Sequence, residues 1–221
     1  LNIIRHEVLM LGPADNIPDN VRRIPPLGVD VPEADRQELE QGLKTLAEQI
    51  ARLKQSDKPL AKKLLPDVLI YHRAVDQALR YREFFDVKEI PVAKGLLKQG
   101  QQRAEQLLEG KAPWAEQTGL VVRGYISRID QTVQPYGLVI PAGYDFAGTK
   151  PHRLDFWFHG RGETLSEVNF LNDRSKNVGP IAPPHTLVLH PYGRYCNAFK
   201  FAGEIDVLEA LEAVQRHCHV D

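Results

Sequence analysis

The residues best suited to chemistry are His159-Gly160-Arg161-Gly162, which directly follow an apolar and aromatic run from Arg153 to Phe158 that reads as a strand. Glycines at a strand end let backbone N–H groups come close to a ligand oxygen, because no Cβ stands in the way. Aimed at a carbonyl under attack, such amides would stabilise a developing oxyanion. A glycine turn carrying a structural histidine is the competing reading of the same four residues. Tyr192, Arg194 and Asn197 follow the next strand-like run, Thr186 to His190, and are candidates for the walls of a substrate pocket. For Arg194 an ion pair with a nearby carboxylate, and for Asn197 a hydrogen bond that fixes a turn, are the plainer readings.

Acyl transfer through such a loop also requires a nucleophile, commonly a serine on a strained strand-to-helix turn within Gly-x-Ser-x-Gly. The serines are Ser56, Ser127, Ser166 and Ser175, and none has glycine two residues before and two after. Ser56 falls between helices, Ser127 inside a strand, and Ser166 and Ser175 in a long loop. No catalytic residue is therefore assigned within the chain. The histidines His152, His159, His185 and His190 are read as loop or strand residues satisfied by local hydrogen bonds. Metal chemistry finds no ligand set: Asp155, His159 and Glu163 straddle a strand end, and His217-x-His219 lacks a third ligand. Gly160-Arg161-Gly162 lacks the third glycine and following helix of a phosphate loop. No cofactor is expected.

The elements that must position these residues change character near Trp114. Before it the spacing predicts helices. Leu39, Leu43, Leu46, Ile50 and Leu53 form one stripe of a helix from about Glu33 to Gln55. Leu64, Val68, Tyr71, Val75 and Leu79 mark a second, with Pro66 in its first turn or kinking it. A third runs from about Val87 to Glu109, with Asp86 and Glu89 resembling a capping box, Leu96, Leu97, Leu107 and Leu108 on its apolar face, and Gly110 as its stop. After Trp114 come a hairpin, Val121 to Ile129 and Tyr136 to Ile140 around a turn at Asp130 to Pro135, then the two strands already named and a helix from about Gly203 to His217. Strand, loop, strand, helix implies an α/β fold whose later strands run parallel. Ahead of everything, Ile3 to Leu11 reads as a short strand or docked arm, and a proline-rich connector follows it.

Four segments in order, Arg123 to Asp130, Gln134 to Pro141, His159 to Thr164 and Leu189 to Asn197, resemble the opening strands of a bacterial branch of the prolyl-oligopeptidase-like (peptidase S9-type) α/β-hydrolases. The resemblance covers roughly Val121 to Asp221. It implies three regions: an amino-terminal arm and linker (1–32), a helical region (33–112), and the amino-terminal half of an α/β-hydrolase domain (113–221). It also implies that His159, Gly160, Arg161 and Gly162 are the oxyanion loop, in a looser His-Gly-x-Gly form because Arg161 takes the third place. The second oxyanion donor, the nucleophile, the acid and the base would all lie beyond Asp221, in the order serine, carboxylate, histidine. On this reading the chain is the front portion of a serine hydrolase, an esterase or peptidase, and is inactive alone. Its substrate in the longer parent would be a small ester or peptide.

Composition narrows the remaining classes. The 221 residues carry 28 basic and 29 acidic side chains, so the net charge of -1 gives no field to attract nucleic acid. No apolar run is long enough to span a bilayer. Cys196 and Cys218 sit in flanks that match neither a redox pair nor a zinc knuckle. The chain starts at Leu1, compatible with an exported protein whose leader has been removed, and its compartment is left open. An incomplete sheet would expose an edge, so a second copy or the missing carboxy-terminal part are the expected pairing partners. The reading from another class is a non-catalytic binding or assembly module whose helices form the partner surface.

Overall fold

A computed structural model describes residues 17, 23–160, 162–194 and 199–221. The run from Ile3 to Leu11, much of the proline-rich connector, Arg161, Cys196 and Asn197 fall outside it.

Helix α1 (Glu33–Lys54) buries Leu39, Leu46, Ile50 and Leu53, with Leu43 packed at the margin, as its four-and-three spacing predicts. A short helix α2 (Pro59–Leu64) precedes α3 (Pro66–Tyr81). Pro66 is at the first position of α3, where a missing N–H costs no intrahelical bond, so it starts a helix instead of kinking one. Helix α4 (Glu89–Glu109) ends on Gly110 at φ 87°. Its expected capping box is displaced by one residue. The Glu89 carboxylate accepts from the Phe85 amide at 2.8 Å, while Asp86 accepts from the Lys88 amide at 2.8 Å.

The hairpin strands are β1 (Gly119–Ile126) and β2 (Val133–Ile140); both begin earlier than the sequence pattern predicts, and β1 also ends earlier, at Ile126 instead of Ile129. The turn is Ser127 to Thr132, closed by the Ser127 amide donating to the Thr132 carbonyl at 2.9 Å. Ser127 is thus in the turn, and Pro135, expected there, lies inside β2 opposite Gly124. Proline is tolerated because the Gly124 amide points outward, which makes the pair a non-hydrogen-bonded one. The nitrogen of Pro135 therefore faces β4, whose pairing begins only at Tyr136.

Strand β3 (Arg153–Phe156), helix α5 (Glu167–Arg174) and strand β4 (Thr186–Pro191) form a parallel βαβ unit. Helix α6 (Ala202–Gln215) follows. The sheet order is β1-β2-β4-β3, with β2 alone running against the others. After α6 the chain returns to the outer edge of β3: Val220 bridges His152 in parallel, through His152 N to His219 O at 3.0 Å and Asp221 N to His152 O at 3.1 Å.

Adjacent residues of β1 show how the layers stack, since side chains alternate across a sheet. A Cβ on Gly124 would stand 2.5 Å from the Pro66 carbonyl oxygen, so α3 packs against that face at a distance only glycine permits. The next side chain, Tyr125, points the other way and donates from its hydroxyl to the Asp206 carbonyl of α6 at 3.2 Å. Helices thus cover both faces of the sheet, and one apolar core runs from Leu39 in α1 through Tyr71 and Leu107 to Tyr136, Leu187 and Val214. This is an α/β protein.

The seam between helices and sheet is sewn by Asp67, in the first turn of α3. One carboxylate oxygen accepts from the Gly124 amide at 2.9 Å. The other accepts from Trp114 Nε1 at 2.9 Å and from Arg123 Nε at 3.0 Å. Alongside, Arg103 Nη1 donates to the Val122 carbonyl at 2.9 Å and Gln117 Nε2 to the Leu120 carbonyl at 2.9 Å. The Arg103 guanidinium lies 5.1 Å from the Tyr71 ring centroid and 4.8 Å from that of Trp114.

Candidate functional site

The chain leaves β3 toward α5 on one face of the sheet and leaves β4 toward α6 on the other. Diverging loops at the carboxyl ends of neighbouring parallel strands open a crevice, the usual ligand position in α/β sheets. His159 spans it. Its Nε2 lies 2.8 Å from the Tyr192 carbonyl and its Nδ1 2.9 Å from the Gly160 carbonyl. Phe199, 4.9 Å away, and Phe170, 6.4 Å away, pack against its ring. The histidine thus fastens the loop after β3 to the loop after β4, with the glycines beside that bridge.

Gly160 is exposed, and a Cβ there would meet nothing within 4 Å; at Gly162 the nearest atom would be Leu165 Cβ at 3.5 Å. Gly160 does not adopt a positive φ, so local folding does not demand glycine there. Among the described residues no carbonyl accepts from their amides, whereas the Gly162 carbonyl accepts from the Leu165 amide at 3.3 Å.

Of the pocket candidates, Tyr192 is buried beside Phe170, with ring centroids 5.0 Å apart. Arg194 takes the plainer of its two readings. Its Nε donates to both Asp206 oxygens at 3.1 and 2.9 Å, and its Nη2 to Ser127 Oγ at 2.8 Å. Asp130, joined to Nη1, is held far below the usual carboxylate range by that guanidinium. Arg194 has φ 57°, and Phe199 and Phe201 are also left-handed, a concentration of strained backbone after β4.

His190 departs from the expectation of local satisfaction. Arg174 Nη1 donates to its Nδ1 at 2.8 Å, which places the imidazole proton on Nε2, a buried atom without a partner. Burial, reinforced by Arg174, depresses its pKa to about 4. Among the described residues no group of three or more His, Cys, Asp or Glu side chains is arranged to hold a metal.

Sequence reasoning missed the charged residues beside this crevice. Arg73 and Gln77 of α3, Glu83 after it, Gln134 of β2, and Glu167 at the start of α5 line a cleft of about 300 Å³ that shares Tyr192 and Arg194 with the crevice wall. Arg73 Nε donates to Glu167 Oε1 at 2.8 Å, while Glu167 Oε2 is buried without a partner. Burial raises Glu167 to about 7, although Arg73 opposes the shift. Ser166, beginning the motif Ser-x-x-Asn, accepts from the Asn169 amide at 3.2 Å as the cap of α5. That cap was the available signal for a helix here.

A stability effect follows. Between about 4.5, its unperturbed value, and about 7, Glu167 holds a proton when folded that it releases when unfolded, so its contribution to stability falls as pH rises through that window. His190, depressed to about 4, acts oppositely, losing stability as pH falls below its unfolded value near 6.5. Urea titrations of wild type and Glu167→Gln from pH 5 to 8 separate the two. The difference should move by up to about 3 kcal/mol in favour of the variant as pH rises. Parallel stability profiles would show that Glu167 titrates normally.

Comparison of the chain with profiles of known protein families, with curated proteins and with solved structures finds no match.

Proposed function

We propose that this chain is the front portion of a serine hydrolase of the prolyl-oligopeptidase-like α/β-hydrolase kind, an esterase or peptidase, in which it contributes one half of the oxyanion hole. The nucleophile, acid and base come from residues that follow Asp221. The observation that carries this reading is the glycine loop between β3 and α5, whose amides find no described carbonyl. That loop, between the third strand and the next helix, is where hydrolases of this fold draw one oxyanion donor. The parallel bridge of Val220 to His152 adds support. A strand continuing from Val220 along β3 would finish beside Gly160, and its following turn would bring a nucleophile to the donors. Serine would attack a carbonyl carbon and pass its proton to the base, while the amide near Gly160 or Arg161 donates to the oxygen as negative charge gathers there.

The test compares residues 1 to 221 with the protein extended through the next Gly-x-Ser-x-Gly turn, using p-nitrophenyl acetate and a peptide amide. The short chain should show background hydrolysis, and the extended one turnover that disappears when that serine becomes alanine. In the extended protein Gly160→Pro, which removes an N–H, should lower kcat by about 10²–10³. Gly160→Ala keeps the N–H and should leave stability unchanged or raise it by about 0.4–1 kcal/mol. Robust turnover by residues 1 to 221, abolished by one internal substitution, would overturn the proposal.

A further inference from the structure

The cleft beside the crevice has charge and hydrogen-bonding features that the acyl-transfer reading leaves unused. Glu167 is one of the residues lining it. Its side chain is only 9% exposed, one oxygen is engaged by Arg73, and the other is within hydrogen-bond reach of no described group. A buried carboxylate oxygen without a donor is an unfilled acceptor position.

Charge distinguishes what would fill it. Arg194 is already matched by Asp130 and Asp206. That leaves Arg73 facing two carboxylates, Glu83 and Glu167, whose mutual repulsion is felt at Glu167. With both ionised, the three side chains carry one uncompensated negative charge. Water or a hydroxyl would satisfy the oxygen but not the charge. An anion would add to the excess. A single positive nitrogen with hydrogens to donate supplies both requirements, and a volume of about 300 Å³ is at the small end of ligand sites.

We propose that this cleft, between α3, the start of α5 and the loop after β4, binds a small molecule or chain end bearing a protonated amine, which pairs with the Glu167 carboxylate. Gln77 and Gln134 line the remainder of the cleft. The site belongs to these 221 residues, so it stands or falls independently of whether the longer protein transfers acyl groups.

Benzylamine and benzyl alcohol, alike in shape and different in charge, provide the probes, with benzoate as the anion. Binding to the whole chain is followed at pH 8 by calorimetry and by the ¹³C shift of the Glu167 carboxyl carbon. Benzylamine should saturate the site at least tenfold more tightly than benzyl alcohol and displace the Glu167 signal, and benzoate should not bind. Lowering the pH to 5.5 should weaken benzylamine at least fivefold. The charged groups around Glu167 are Arg73, Glu83 and Arg194, and of the carboxylates Glu167 is the one raised to near neutrality. Glu167→Gln should lose tenfold or more. Should that variant fold poorly, the wild-type ratio of amine to alcohol decides alone. Equal binding of amine and alcohol, tighter binding of benzoate, no saturable binding of benzylamine, or an unshifted Glu167 carbon would each overturn the assignment.

Discussion

Asp67→Ala should cost the protein about 3–5 kcal/mol, a large share of the stability of an ordinary domain. The side chains of Asp67 and Arg123 are 2% and 5% exposed, so removing the carboxylate leaves a guanidinium charge uncompensated in the core. It also strips acceptors from Trp114 Nε1 and the Gly124 amide in the same step. Asp67→Asn keeps the shape and one acceptor but loses the charge, and should fall between the two. Because Asp67 joins the helical half to the first strand, near-ultraviolet circular dichroism of Trp114 and the urea midpoint should change together. A loss under 1 kcal/mol for the alanine variant would mean the seam is held by apolar packing alone.

The second large effect is expected at Arg194. Arg194→Met should destabilise by about 2–4 kcal/mol, since Asp206 of α6, with its side chain 2% exposed, would be left charged and unpaired. The double variant Arg194→Met with Asp206→Asn should recover at least half of that loss, because the stranded charge has gone with its partner. Additive losses in the urea midpoints would show instead that Arg194 contributes by packing. The same measurement bears on its place in the cleft wall: an arginine held by two aspartates has no spare charge with which to recruit a ligand.

The parts of the structure legible in sequence are those governed by neighbours along the chain. The stripe from Leu39 to Leu53, Gly110 as a helix stop, and the run Thr186 to His190 as a strand all follow from periodicity and backbone preference. Pro135 favours a turn by local preference, and its place within β2 follows from pairing the local sequence does not show: a non-hydrogen-bonded register with Gly124 and a β4 ladder that begins at Tyr136. Helix α5 is hard to read from sequence because its eight residues hold a single apolar pair at helical spacing, Val168 and Leu171, too little to establish a period. Its presence was still implied, since two adjacent parallel strands need a crossover, usually helical. His159 and the glycines were found as a local motif. Glu167, Arg73 and Glu83 were not, because their meeting depends on α3 and α5 packing on one face of the sheet, 94 positions separating the paired Arg73 and Glu167.

Along the outer side of β1, the Leu120 and Val122 carbonyls and the Gly124 amide are each occupied by a side chain, from Gln117, Arg103 and Asp67 in turn. A visiting strand would have to evict an amide, a guanidinium and a carboxylate before making its first ladder bond. That border is sealed against recruitment, so any extension of the β-sheet, whether by this polypeptide or by another, is directed to the opposite flank, where His152 and Val220 already meet.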